Sequence, residues 1–150
     1  MENTNQIKIC NSLEGLDWGE LVNLFETVEW KGRTKENLQQ AFHSSYYVAL
    51  LYDDNRLIGC GRVISDGVFY GAVYDVIIHP DYQGKGIGRK LMANILSKMD
   101  DVNFIHLTTT EGREPFYEKL GLRKHKTAMA RYLDPEPAKK YLEEARFLKE

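Results

Sequence analysis

Residues 74–91 read Tyr-Asp-Val-Ile-Ile-His-Pro-Asp-Tyr-Gln-Gly-Lys-Gly-Ile-Gly-Arg-Lys-Leu. The run Val76-Ile77-Ile78 is apolar at consecutive positions, the mark of a central strand covered on both faces. Pro80 closes that strand. From Ile87 the apolar positions take helical spacing through Leu91, Met92, Ile95, Leu96 and Met99, and Arg89, Lys90, Asn94 and Lys98 fall on the outward face. Between strand and helix, Gly84, Gly86 and Gly88 permit positive φ and a close approach of backbone to a ligand. The first N–H groups of a helix have no intrahelical partner and lie at the positive end of its dipole. The loop is therefore a candidate anion pocket, with Lys85 and Arg89 adding charge at its mouth, and a diphosphate fits it. Two other phosphate loops fail on spacing. The dinucleotide fingerprint needs G-x-G-x-x-G, but Arg89 stands where its last Gly would be, and the Walker loop needs Ser or Thr where Gly86 follows Lys85.

Upstream, Gln6–Cys10 alternates as a short strand. Asp17–Val28 carries Trp18, Leu21, Val22, Phe25 and Val28 at helical spacing, and Asp17 with Glu20 resembles a capping box. A second helix starts after Thr34 and buries Leu38, Ala41 and Phe42. Strands are predicted at Tyr46–Tyr52, Leu57–Ser65 and Phe69–Ile78, joined by Asp53-Asp54-Asn55 and Ser65-Asp66-Gly67 as an antiparallel meander. Downstream, Phe104–Thr109 is the parallel partner after the helical crossover. Pro115 opens a short helix that Gly121 ends, and Ala128–Leu133 is a last strand. Residues 1–133 are expected to form one domain, and 134–150 an appended amphipathic helix with Ala138, Tyr141, Leu142, Ala145 and Leu148 on one face, which serves for docking on that domain or as a partner surface.

The chain of 150 residues suits one α/β domain with a full core. Its net charge of -2 argues against a nucleic-acid or anionic-membrane surface, so the anion site is local. The two cysteines, Cys10 and Cys60, stand far apart without Cys/His clustering, which argues against a disulfide framework and a zinc site. With neither a long apolar run nor a signal-peptide pattern, the expected location is the reducing cytoplasm.

Gln83-Gly84-Lys85-Gly86-Ile87-Gly88 resembles the acetyl-CoA signature of the GNAT superfamily, Gln/Arg-x-x-Gly-x-Gly/Ala. Phe116-Tyr117-Glu118-Lys119-Leu120-Gly121-Leu122 is similar to that family's second signature. The order of elements from residue 6 to 133 agrees as well. The resemblance implies a mixed, mostly antiparallel sheet splayed between its fourth and fifth strands, flanked by helices on both faces. It also implies that the pantetheine arm of CoA lies along Val76, Ile77 and Ile78, and that its pyrophosphate rests on Gly84–Arg89. Where the family often carries Asn, Thr110 stands here, and with it the usual contact to the arm is changed.

The activity so implied is direct attack of an amine on the thioester through a tetrahedral intermediate. Tyr117 occupies the general-acid position, and the N–H of Ile77 is the candidate oxyanion donor. Asp75 reads either as a buried base or as an Asp held by backbone donors at a bulge, and Glu111 is the second base candidate. The run 61–67 with Tyr74-Asp75-Val76 resembles the bacterial and plastid arylalkylamine branch. This implies a small, aromatic primary amine as acceptor, with Trp30, Tyr70 and Tyr74 shaping its pocket and Asp66 or Asp75 holding its ammonium. A peptide or protein amine is the alternative acceptor, and a non-catalytic CoA-binding module the alternative function. The family expectation of a homodimer involves the last strand and the C-terminal helix.

Overall fold

A computed structural model describes residues 6–144. Strands β1 (Ile7–Cys10), β2 (Tyr47–Asp53), β3 (Arg56–Ser65), β4 (Tyr70–Ile78) and β5 (Phe104–His106) lie in sequence order in one sheet. The first four are antiparallel, and β5 runs parallel to β4. Because side chains alternate along a strand, the central strands feed two cores. Val48 and Leu50 of β2, Cys60 of β3 and Ile77 of β4 face α1 (Trp18–Thr27) and α2 (Lys35–His43). Ala49, Leu51, Val63 and Val73 face α3 (Ile87–Ser97), whose Leu91, Met92 and Ile95 fill the other side. The predicted mixed sheet with helices on both faces is the fold observed.

The capping signals divide differently from the expectation. The Asp17 carboxylate accepts from the N–H groups of Gly19 and Glu20, so it does cap α1. Glu20 does not reach back to close a box; its Oε1 accepts the N–H of Leu57 at 2.7 Å and fastens α1 to the start of β3. The reciprocal box belongs to α2, where Thr34 and Asn37 bond each other's backbone N–H. Asn94, expected on the outward face of α3, instead accepts from the Tyr47 hydroxyl at 2.6 Å and from the Asn11 side chain at 3.3 Å, tying α3 to the edge of the sheet.

Two strand expectations need correction. Phe104–Thr109 shortens to three residues, because local β-propensity in Thr108 and Thr109 finds no partner once the chain leaves β4. Ala128–Leu133 forms no strand: Met129 is 94% and Leu133 86% exposed, and the outer edge of β5 is too short to receive six residues. A short α4 (Glu114–Glu118) stands where Pro115 predicted it. The appended helix, α5 (Pro135–Tyr141), has no fully buried residue, and its Tyr141 ring lies 6.3 Å from that of Tyr132. Ala145 and Leu148 of its predicted face lie outside the described residues. No described helix is long and apolar enough to cross a membrane.

Replacing Glu20 by Ala leaves the Leu57 N–H without its acceptor beside a buried side chain. The expected loss is about 1–3 kcal/mol of unfolding free energy in urea at unchanged slope, and Glu20→Gln, which keeps an acceptor oxygen, should lose clearly less.

Candidate active site

Only Tyr70, Gly71 and Ala72 of β4 pair with β5, opposite Phe104, Ile105 and His106. Beyond Ala72 the two strands part, so among the described residues the second half of β4 has no strand neighbour on that side. The register with β3 then decides which backbone groups face the gap. The His79 N–H bonds to the Ile58 carbonyl, and Cys60 lies opposite Ile77, so alternation turns the Ile77 N–H toward β3. The backbone groups of Val76 and Ile78 face the opening. Ile78 demonstrates this, since its carbonyl accepts the Gln83 side-chain amide at 2.8 Å. The oxyanion donor expected at Ile77 is therefore displaced by the strand's own alternation.

A single 3-10 turn at Pro80–Tyr82 leads from β4 into the glycine loop, and His79 serves as its cap, accepting the Asp81 N–H. Gly84 and Gly86 take φ 78° and 79°, and a Cβ on either would meet nothing within 4 Å, so both border open space. Gly86 is the N-cap of α3 and no side chain caps that helix start. The N–H groups of Ile87, Gly88 and Arg89 thus lie in the unpaired first turn, next to the outward end of β4. Ile87 buries its side chain beneath them, while Arg89 is exposed and Lys85 lies over the Tyr82 ring. This cradle fits a diphosphate, and the strand end beside it fits an extended amide-bearing arm; the two features together match CoA.

Gly88 has another task. A Cβ there would stand 3.4 Å from Phe116 and 3.7 Å from Ile78, ordinary contact distances, so position 88 is where the loop meets both α4 and the end of β4. Tyr117, next along α4, packs edge-on to Phe116 and against the α3-side core. Burial pushes its phenol above the usual tyrosine range, with Arg113 and the Thr109 side chain opposing in part. It stays protonated at neutral pH. Thr110 accepts the Arg113 N–H through its carbonyl in the turn between β5 and α4, and Glu111 is exposed in the same turn.

Asp75 sits at a bulge where the β3–β4 register slips, with φ 55°. That left-handed conformation costs a non-glycine residue roughly 1–2 kcal/mol. Its carboxylate offsets the strain by accepting Arg62 Nε at 2.6 Å, and its other oxygen lies 3.9 Å from Arg33. Arg62 is sandwiched between Phe42 and Tyr74, at 5.8 and 5.7 Å from their centroids. Asp75 is thus an ion-paired bulge residue. Tyr74 and Tyr70 are exposed on the same face of β4, and Trp30 projects from the loop between α1 and α2 against Phe25. Asp66 is spent on its own turn, accepting the N–H groups of Val68, Phe69 and Tyr70, which hold its carboxyl below the usual range. Arg62 and Arg33 are the residues that sequence reasoning missed; a guanidinium in the middle of an apolar strand was the available signal. Among the described residues, no group of three His, Cys, Asp or Glu side chains could hold a metal ion.

A family model described as acetyltransferase (GNAT) family matches residues 15–122. The chain is 37% identical over 108 residues to a protein of Gracilaria tenuistipitata var. liui named uncharacterized N-acetyltransferase ycf52, covering 68% of this chain and 59% of that one. It is 33% identical over 121 residues to serotonin N-acetyltransferase 2, chloroplastic, of Oryza sativa subsp. japonica, covering 75% and 60%. The chain thus spans about three fifths of the length of these relatives. Among solved structures, a GNAT family acetyltransferase from Streptococcus pneumoniae TIGR4 superposes with a TM-score of 0.71 at 27% identity, covering 85% of this chain and 99% of that one.

The state of Tyr117 can be read directly. Subtracting the 295 nm alkaline titration of Tyr117→Phe from that of the wild type should leave a tyrosinate midpoint above 10.0. Since folding raises this pKa, the stability that burial of the neutral phenol contributes is present below the unfolded value and is lost as pH rises through the folded one.

Proposed function

From the premise that the chain belongs to the acetyltransferase (GNAT) family, we propose that it is an acetyl-CoA-dependent N-acetyltransferase acting on the primary amine of a small molecule. The observation that carries this reading is the convergence of three features: the unpaired end of β4, the uncapped start of α3 and the protonated phenol of Tyr117. Acetyl-CoA, when bound, supplies an acetyl group activated as a thioester, so that overall a C–N bond forms and a C–S bond breaks. Of the two protons that the acceptor ammonium gives up, one is balanced on the CoA thiol and one is released to solvent.

The chain's residues divide the work. N–H groups from Gly84 to Arg89 hold the pyrophosphate, with Lys85 and Arg89 adding charge. Val76 and Ile78 pair with the pantetheine arm, and Gln83 keeps the loop folded onto Ile78. The Val76 N–H faces the opening and is the donor to the carbonyl oxygen. Tyr117 delivers a proton to the departing sulfur and is recharged from solvent, a useful service because a free thiol has a pKa near 8.5. Glu111, in the exposed turn before α4, takes the proton from the acceptor nitrogen through water. Thr110 lies beside the arm without the amide that an Asn would offer.

The acceptor side supports an arylalkylamine. Trp30, Tyr70 and Tyr74 are exposed aromatic residues there, and the rice relative is named a serotonin N-acetyltransferase. Both cysteines are free, which agrees with a reducing compartment such as the cytoplasm.

Calorimetry with acetyl-CoA should show one site on the wild type, and Gly86→Trp should abolish it by placing a large side chain at a left-handed position in the cradle. With tryptamine as acceptor and thiol release as readout, Tyr117→Phe should lower kcat about 100-fold or more with little change in acetyl-CoA affinity. Failure of the wild type to bind acetyl-CoA would falsify the assignment.

A further inference from the structure

The Arg62–Asp75–Arg33 cluster holds two cations against one carboxylate, and its two ion pairs differ in kind. Arg62 is 15% exposed, meets Asp75 at 2.6 Å and is fixed between two rings, with its Nη1 3.5 Å from the Ser45 hydroxyl. Arg33 is 40% exposed and stands at 3.9 Å, beyond hydrogen-bond reach. Among the described residues, its other contact is the face of Phe25 at 5.4 Å. Asp75 is 11% exposed, and among the described residues this loose guanidinium is the cation paired with its second oxygen. A carboxylate in that position has unused capacity to accept hydrogen bonds. A compact ammonium with three donors can approach it at hydrogen-bond distance, where the long guanidinium does not.

We propose that Arg33 is an exchangeable stand-in for the acceptor's ammonium: the incoming amine displaces it from Asp75, while Arg62 is the positioning residue that keeps the carboxylate aligned. This rests on the acetyltransferase reading and adds the recognition of the acceptor to it. Asp75 immediately precedes Val76, whose N–H faces the opening, so an amine docked there stands next to the reacting end of the splay. Trp30, carried by the same loop as Arg33, and Tyr74, next to Asp75, provide ring faces for the rest of the molecule. The cluster thus selects a cationic head with an aromatic body.

The consequence runs against the usual effect of deleting a cation at a binding site. With tryptamine varied at saturating acetyl-CoA, Arg33→Ala should lower KM by about 2- to 5-fold, the size of one weak exposed ion pair. Arg33→Lys should leave KM near the wild-type value, and Asp75→Asn should raise it about 10-fold or more and erase the effect of Arg33→Ala in the double variant. Arg62→Lys should also raise KM. Acetyl-CoA affinity, followed separately by calorimetry, should not move in Arg33→Ala. An unchanged or higher KM in Arg33→Ala overturns the exchange while leaving the acetyltransferase assignment standing. Equal effects of Arg33→Ala with and without the Asp75 carboxylate overturn it as well. Absence of wild-type turnover with tryptamine, phenethylamine and other primary amines overturns both.

Discussion

Three residue pairs join β4 to β5, and the parting of the strands after Ala72 governs the whole layout of the site. A central strand normally spends its backbone groups on two neighbours. Here β4 is buried between two cores yet, among the described residues, has a strand neighbour on one side only for its second half. Exposed strand edges are liabilities that proteins cover, bend or use. This one is short, flanked by helices, and ends at a glycine loop that leads into the uncapped start of α3. An extended, amide-bearing molecule with an anionic end satisfies both deficits together, and neither deficit alone would define it.

The bulge at Asp75 is the counterpart on the acceptor side. Slipping the register there places two successive residues, Tyr74 and Asp75, against Arg62 and the α2 face, then restores the alternation so that Val76 and Ile78 turn outward. A strained φ, a partly buried ion pair and two ring contacts to Arg62 coincide at this point. The carboxylate would be costly without Arg62, and the left-handed conformation would be costly without the pairing it permits.

The features legible in the sequence were those that depend on local pattern. The change from strand to helical periodicity at Ile87, the caps at Asp17 and Thr34 and the glycines of the loop are all visible within a few residues of sequence. Features that depend on a distant partner were hidden. Glu20 looks like half of a capping box until Leu57 is seen beside it, 37 positions away. Asn94 sits on the polar stripe of its helix, yet Tyr47 and Asn11 claim it. Which of Val76, Ile77 and Ile78 offers its N–H to the gap is decided by registration against Cys60, which no single-strand pattern encodes. Ala128–Leu133 is a mostly apolar run long enough for a strand, but a strand also needs an edge to join.

The contact between Gly88 and Phe116 links the family's two signature segments physically. A methyl at position 88 would meet the Phe116 ring at ordinary contact distance, whereas a longer side chain there would press on α4. The two segments thus pack on each other, though 28 positions separate these residues. Grafting the glycine loop onto another scaffold without its matching aromatic helix would transfer the anion cradle and leave the phenol behind. Recombination among relatives should preserve the pair or repack both sides of it at once.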